Sequence, residues 1–123
     1  MADEITLTIA ATVDKPTTMN QTAEFSVTDL LRTMTGNDIV RKTQTIGTTD
    51  TALDMGAITN PGFLVAINLD ATSRIQLYNG AAGLVYGSLG PGDPCCIPLD
   101  PTCVPYAKAI PTAARLDYLL ISR

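Results

Sequence analysis

The chain reads as an all-β protein, an antiparallel β-sandwich of about eight to ten short strands, with the jelly roll as one arrangement open to it. Two observations predict this. Apolar residues alternate with polar ones along most of the chain, the period of a strand with one buried face. Turn signals built on Gly, Pro, Asn and Asp recur every 8–12 residues or so, the spacing of a sandwich or barrel. No internal repeat interrupts the pattern, and no linker is long enough to separate a pair of domains. Residues 1–123 therefore read as a single β-sandwich domain.

The elements follow in order. In "EITLTIAATV", Ile5, Leu7, Ile9, Ala11 and Val13 share one face, and Glu4, Thr6 and Thr8 the other. "DKPTTMNQT" breaks this strand, and "AEFSVTDLL" restarts the alternation with Phe25 and Val27. "TDLLRTMTGND" admits a short helix capped by Thr28 and carrying Leu30, Leu31 and Met34, or a continuing bent strand. "IVRKTQTIG" has no cleanly apolar face, which suits an edge strand or an interface strand.

"NPG" predicts a type II turn with Gly62 at positive φ. "FLVAINL" is apolar on both faces until Asn68, which predicts a strand covered on both sides. "RIQLYN" buries Ile75 and Leu77, "NGAAG" is a hairpin signal, and "GPGDP" turns the chain again. Prolines 91, 94, 98, 101, 105 and 111 predict edges or short strands thereafter. "ARLDYLLIS" closes the chain with Leu116, Tyr118 and Leu120 on one face.

Composition excludes several functions. Formal net charge is −4, and Arg41-Lys42 is the sole adjacent basic pair. A phosphate-tracking surface needs clustered Lys and Arg, so nucleic acid is not expected as a partner. No apolar run approaches the ~20 residues that cross a bilayer. The acidic start "MADEI" is unlike a signal peptide, so synthesis in a cytoplasm is expected. With no histidine, neither a Ser-His-Asp nor a Cys-His arrangement is available.

The ten aspartates and two glutamates fall mostly in turns, where aspartate hydrogen-bonds its own backbone. With no tryptophan to stack a sugar ring, a glycosidase is not expected either. No enzyme activity, cofactor or metal site is therefore predicted. Cys95, Cys96 and Cys103 read as small apolar residues, or as a bridge from Cys95 or Cys96 to Cys103 in an oxidising medium.

The charged share is 16%, below the roughly 25% usual in soluble domains. This is consistent with a surface partly covered by protein partners, or with a neutral, Thr-rich β surface. Candidate partner contacts are the Arg41-Lys42 pair, Asp70, Tyr78 and Tyr86, with Tyr106 and Tyr118 as further tyrosines. For Asp70 a simpler role competes: an Asx-type turn in which its carboxylate accepts from Thr72 or Ser73 N–H.

From "LDMGAI" through "GFLVAINLDATSRIQLYNG" and "GLVYGSLGPGD" to the terminal "TAARLDYLLI", the chain resembles a group of small tailed-bacteriophage virion proteins. The resemblance is carried by Gly62, Phe63, Leu64, Asn68, Leu69, Asp70 and Thr72, and by the later turn Leu89, Gly90, Pro91, Gly92. "PCCIPLDPTC" departs from the group's pattern. The resemblance implies a β-sandwich that decorates or cements a phage head. It would bind the major capsid protein at the capsid surface of the virion and self-associate, as a trimer first and a dimer second. A glycan- or host-binding fibre module and a tail or adaptor component are the alternatives. No catalytic residues carry over.

Overall fold

The computed structural model describes residues 4–15, 21–33, 38–81 and 83–122. The chain divides into two compact units, Met1–Thr35 and Gly36–Arg123. The first is an antiparallel hairpin of β1 (Glu4–Lys15) and β2 (Gln21–Thr33). Its register pairs Ile9 with Val27 and Ala11 with Phe25, then slips by one residue so that Leu7 meets Leu30. The slip has a sequence cause: Phe25 and Val27 are odd positions, Leu30 is even, and one extra residue in β2 aligns both sets with the odd apolar positions of β1. Residues 28–33 are therefore strand, not a Thr28-capped helix, because β1 supplies a ladder that a Thr-rich single turn lacks. Met34, the last residue of that expected helix, lies outside the described residues.

The second unit is a sandwich of eight strands: β3 (Ile39–Ile46), β4 (Thr51–Ala52), β5 (Pro61–Asn68), β6 (Arg74–Asn79), β7 (Val85–Leu89), β8 (Pro94–Pro98), β9 (Pro105–Ile110) and β10 (Ala114–Ser122). One sheet has the order β3-β10-β5-β8 and the other β4-β9-β6-β7, all antiparallel. The order is that of a ribbon doubled back at the "NGAAG" turn. β6 pairs with β7, β5 with β8, β4 with β9 and β3 with β10. Rolling the ribbon adds the β5–β10 and β6–β9 ladders, which makes a jelly roll. Gly80, at φ 81°, makes the central turn possible. The sequence reading extends one sandwich over residues 1–123; the eight sandwich strands all lie within 39–122.

Inward positions alternate along every long strand of the sandwich. Ile46, Leu64, Ile75, Leu77, Leu116, Tyr118 and Leu120 are all but fully buried, interleaved with Ala66, Ala107, Ala109 and Ala114. Each large apolar side chain stabilises the fold by roughly 1.5–3 kcal/mol relative to exposure. The alanines let large residues of the facing sheet fill the space between layers.

Two expectations fail. Gly62 is not at positive φ in a turn; it lies inside β5, which begins at Pro61, and its carbonyl accepts from Leu99 N–H at 2.8 Å. β5 is indeed an interior strand, but only one of its faces is covered. Leu64, Ala66 and Asn68 face the core, whereas Val65 remains 36% exposed. Two sheets have two inner faces, and within the sandwich no third layer covers β5 from outside.

Among the described residues, Asn68 and Ser73 are the fully buried polar side chains of the sandwich, and Asn68 makes the larger set of bonds. Its side-chain amide donates to the carbonyls of Ser73 (2.8 Å), Leu89 (3.0 Å) and Gly90 (3.1 Å), and its Oδ1 accepts from Asp70 N–H (2.9 Å). Its own N–H reaches the carbonyl of Asp93, and Gly92, at φ 79°, donates to its carbonyl. Ser73 Oγ then meets Thr112 Oγ1 at 2.8 Å. One residue of β5 thus joins the loop to β6, the end of β7, the turn to β8 and, through Ser73, the turn before β10. Replacing Asn68 by Ala strands several buried backbone groups and should destabilise the protein by about 3 kcal/mol or more. Asn68→Asp should not rescue it, since a carboxylate cannot donate. Urea denaturation at neutral pH measures both; wild-type stability in either variant would show that the fold does not need the clasp.

Candidate functional site

The outer face of the β3-β10-β5-β8 sheet is the most distinctive surface of the sandwich. Strand register sets its side chains in rows. The first row is Ile39, Ile121, Phe63 and Pro98; the second is Arg41, Leu119, Val65 and Cys96; the third is Thr43, Asp117, Ile67 and Pro94. Polar residues enter these rows only at Arg41, Thr43 and Asp117. Ile39 is 61% exposed, whereas Ile121 beside it in the same row is buried at 7%. A shallow open groove of about 250 Å³ lies between Val65, Ile67, Pro94 and Leu119, with Arg41 and Asp117 at its rim. That is below the roughly 300–1,000 Å³ of pockets that enclose small ligands. The opposite sheet turns Arg74, Gln76, Ser88, Tyr106 and Lys108 outward, a mostly polar face that also carries half-buried Ile110 and buried Tyr78 in its rows.

The structure gives the candidate contact residues different roles. Arg41 stands on the outer face of edge strand β3 and pairs with Asp117 at 3.1 Å; the pair is exposed and contributes little stability by itself. Lys42 takes the inward side of the same edge and pairs with Asp54, whose carboxyl it holds below its ordinary range. Beside it, Gln44 accepts from Asp54 N–H and donates to the carbonyl of Ala52. Lys42 and Gln44 therefore seal the seam between β3 and the segment after β4.

Asp70 does make the Asx turn: its Oδ2 accepts from Thr72 and Ser73 N–H, which lowers its pKa, the Ser73 bond most. The tyrosines divide. Tyr78 is buried at 9% exposure, its hydroxyl donating to Gln76 Oε1 at 2.7 Å, and Tyr118 is buried at 1%. Both are corrected from surface candidates to packing residues. Tyr106 is half-buried. Tyr86 is the exposed tyrosine, because β7 carries one residue too many for its ladder with β6 and bulges there. It neighbours Leu84 and Val85, both well exposed, in a separate small apolar patch.

Among the candidates, then, Arg41 alone lies on the apolar sheet face. In the sequence, Phe63, Val65 and Ile67 read as part of a strand covered on both sides, and Leu119 carries no reading of its own. The signal that could have found them is the doubly apolar "FLVAINL" run in a chain with strands enough for two sheets but no layer beyond them.

Cys95 turns inward against the core and Cys96 outward, and burial pushes both thiols up. All three cysteines are free. Among the described residues, no group of three or more Cys, Asp or Glu is placed to hold a metal ion. No protein-family model, curated protein or solved structure matches this chain.

Two titrations report on these local arrangements. The folded pKa of Asp70 lies below its ordinary 3.8, so its stabilising contribution is complete above 3.8 and disappears as pH falls through the lower folded value. Asp70→Asn should lower stability at pH 7, and its difference from wild type should close as urea denaturation is repeated toward pH 2.5. Tyr118 is pushed up to about 12, chiefly by burial and then by the Asp54 carboxylate. Its contribution is complete below an unfolded value near 10 and is lost as pH rises toward about 12. The Tyr118 hydroxyl lies 2.9 Å from both Gln44 Oε1 and the Asp54 carbonyl. Tyr118→Phe should therefore cost about 1 kcal/mol at neutral pH and lessen the alkaline loss, which denaturation between pH 8 and 11 would detect.

Proposed function

We propose that this chain is a non-enzymatic structural protein of a tailed-phage virion, a decoration or cement protein that self-associates and binds the outside of the head. The observation that carries the adhesive side of this reading is the apolar outer face of the β3-β10-β5-β8 sheet. A contiguous apolar sheet face on a small chain without histidine is the kind of surface that works by burial against protein, and it supports this reading over turnover of a substrate. The resemblance of residues 53–121 to small phage virion proteins supplies the kind of assembly. The residues that carry it also have structural roles here: Asn68, Asp70, Leu89, Gly90 and Gly92 make the clasp and its turns. A jelly roll is also a lectin fold, but a glycan platform wants several exposed rings, and of the four tyrosines Tyr86 is the exposed one.

Mechanically, such a protein would sit across junctions between major capsid subunits and tie them together. Modest contacts repeated over a shell add up through multivalency, so no single interface need be large. Heads lacking the protein should release DNA at lower temperature than complete heads, and adding the purified chain back should restore the difference. Unchanged heat release in both preparations would reject cementing, and absence of the chain from purified particles would reject the virion reading altogether.

A further inference from the structure

We infer that the apolar outer face of the β3-β10-β5-β8 sheet is a self-association surface whose occupant is the same face of a second copy. The inference deepens the reading above, and rests on it for the claim that the chain acts by association.

The edges of the sandwich are closed to strand addition. β8 begins and ends in proline, β3 carries Lys42 on its inward side, β4 has two residues, and β7 is bulged at Tyr86. Each device discourages a neighbouring strand from extending the sheet. Association of the sandwich through its own sheet edges is thereby disfavoured, and its outer face is left.

That face suits its own copy. Its first two rows are apolar except for Arg41, and the charges in its three rows are Arg41 and Asp117, of opposite sign. The Arg41 side chain is 74% exposed and only loosely committed to the Asp117 of its own chain. The same Arg41–Asp117 pair can form between two copies, which makes the face self-complementary, the property a two-fold contact needs. Sheets pack face to face about 10 Å apart, and Val65, Leu119 and Ile67 would supply the interdigitating side chains.

Area sets the strength. Four strands about 4.8 Å apart, with the three rows spanning about five residues at about 3.3 Å each, make a face of about 300 Å² in projection. Two copies then bury on the order of 600 Å², which belongs to weak, reversible contacts and not to an obligate dimer. On a crowded shell, high local concentration would hold such a contact closed.

The test is sedimentation of the full chain from about 1 μM to about 1 mM. Wild type should pass from monomer to dimer across that range. Val65→Glu places a carboxylate at the centre of the face, where a free monomer leaves it in water but a dimer buries it. It should weaken dimerisation by about a hundredfold or more while circular dichroism and melting stay near wild type. Should Val65→Glu fail to fold, Thr43→Glu at the margin of the same face gives a second reading, with the same loss expected. Leu84→Glu, on the separate patch beside Tyr86, should dimerise like wild type.

A wild type that stays monomeric throughout overturns the inference, as does a dimer or trimer that a folded Val65→Glu leaves intact. A monomer whose binding to phage heads is abolished by Val65→Glu would also overturn it, by showing that the face meets another protein; the virion reading would stand. A Val65-dependent dimer that never binds heads would have the reverse meaning.

Discussion

The sandwich depends on one buried amide. Asn68 sits at the end of β5 with its side chain turned into the core, where an unsatisfied polar group would cost several kcal/mol. It is tolerated because its donors and acceptor are used. Three carbonyls and one N–H that would otherwise be stranded at the ends of strands and in loops find partners in it. Those groups belong to the loop after β5 and to the end of β7 with its following turn, so a β5 side chain is tied to the facing sheet. The residue therefore specifies how the two layers meet at this end, a register that apolar packing cannot specify because it lacks direction. The nearby turns complete the arrangement: Asp70 caps the loop after β5, Asp93 accepts from Gly90 N–H, and Gly92 supplies the positive φ.

Around that clasp the molecule is asymmetric. One sheet turns a mostly polar surface to solvent, and the other turns out Ile39, Phe63, Val65, Ile67 and Leu119. Edges that could pair with foreign strands are blunted by prolines, an inward lysine and a bulge. Such blunting is the usual defence against indiscriminate pairing, and the proposed association rests on the apolar face beside it. Lys42 serves two ends at once. It obstructs the edge of β3, and its ion pair with Asp54 ties that edge to the segment after β4.

The candidate site was only partly legible in the sequence. Arg41 could be marked as a contact because arginine is over-represented at protein contacts. Its neighbours on the face could not, since Val65 and Ile67 look the same in sequence whether a strand is covered on one side or two. Tyr78 and Tyr118 were misplaced for the converse reason. A tyrosine is amphipathic, and its burial depends on whether a partner waits for the hydroxyl: Gln76 for one, Gln44 and the Asp54 carbonyl for the other. No local pattern announces such a partner.

What the sequence determined by itself is local. Period-2 alternation made the strands, Asn79-Gly80 and Pro91-Gly92 made turns, and Asp70 with Thr72 and Ser73 made a turn that needs nothing from elsewhere in the chain. These rest on contacts within a few residues, which a linear reading can see. Tertiary structure decided the sheet order, the division between hairpin and sandwich, the side of β5 left uncovered and the convergence on Asn68. Each of these follows from pairings between segments tens of residues apart, chosen by which apolar faces can be buried together, and alternation is equally compatible with many such choices.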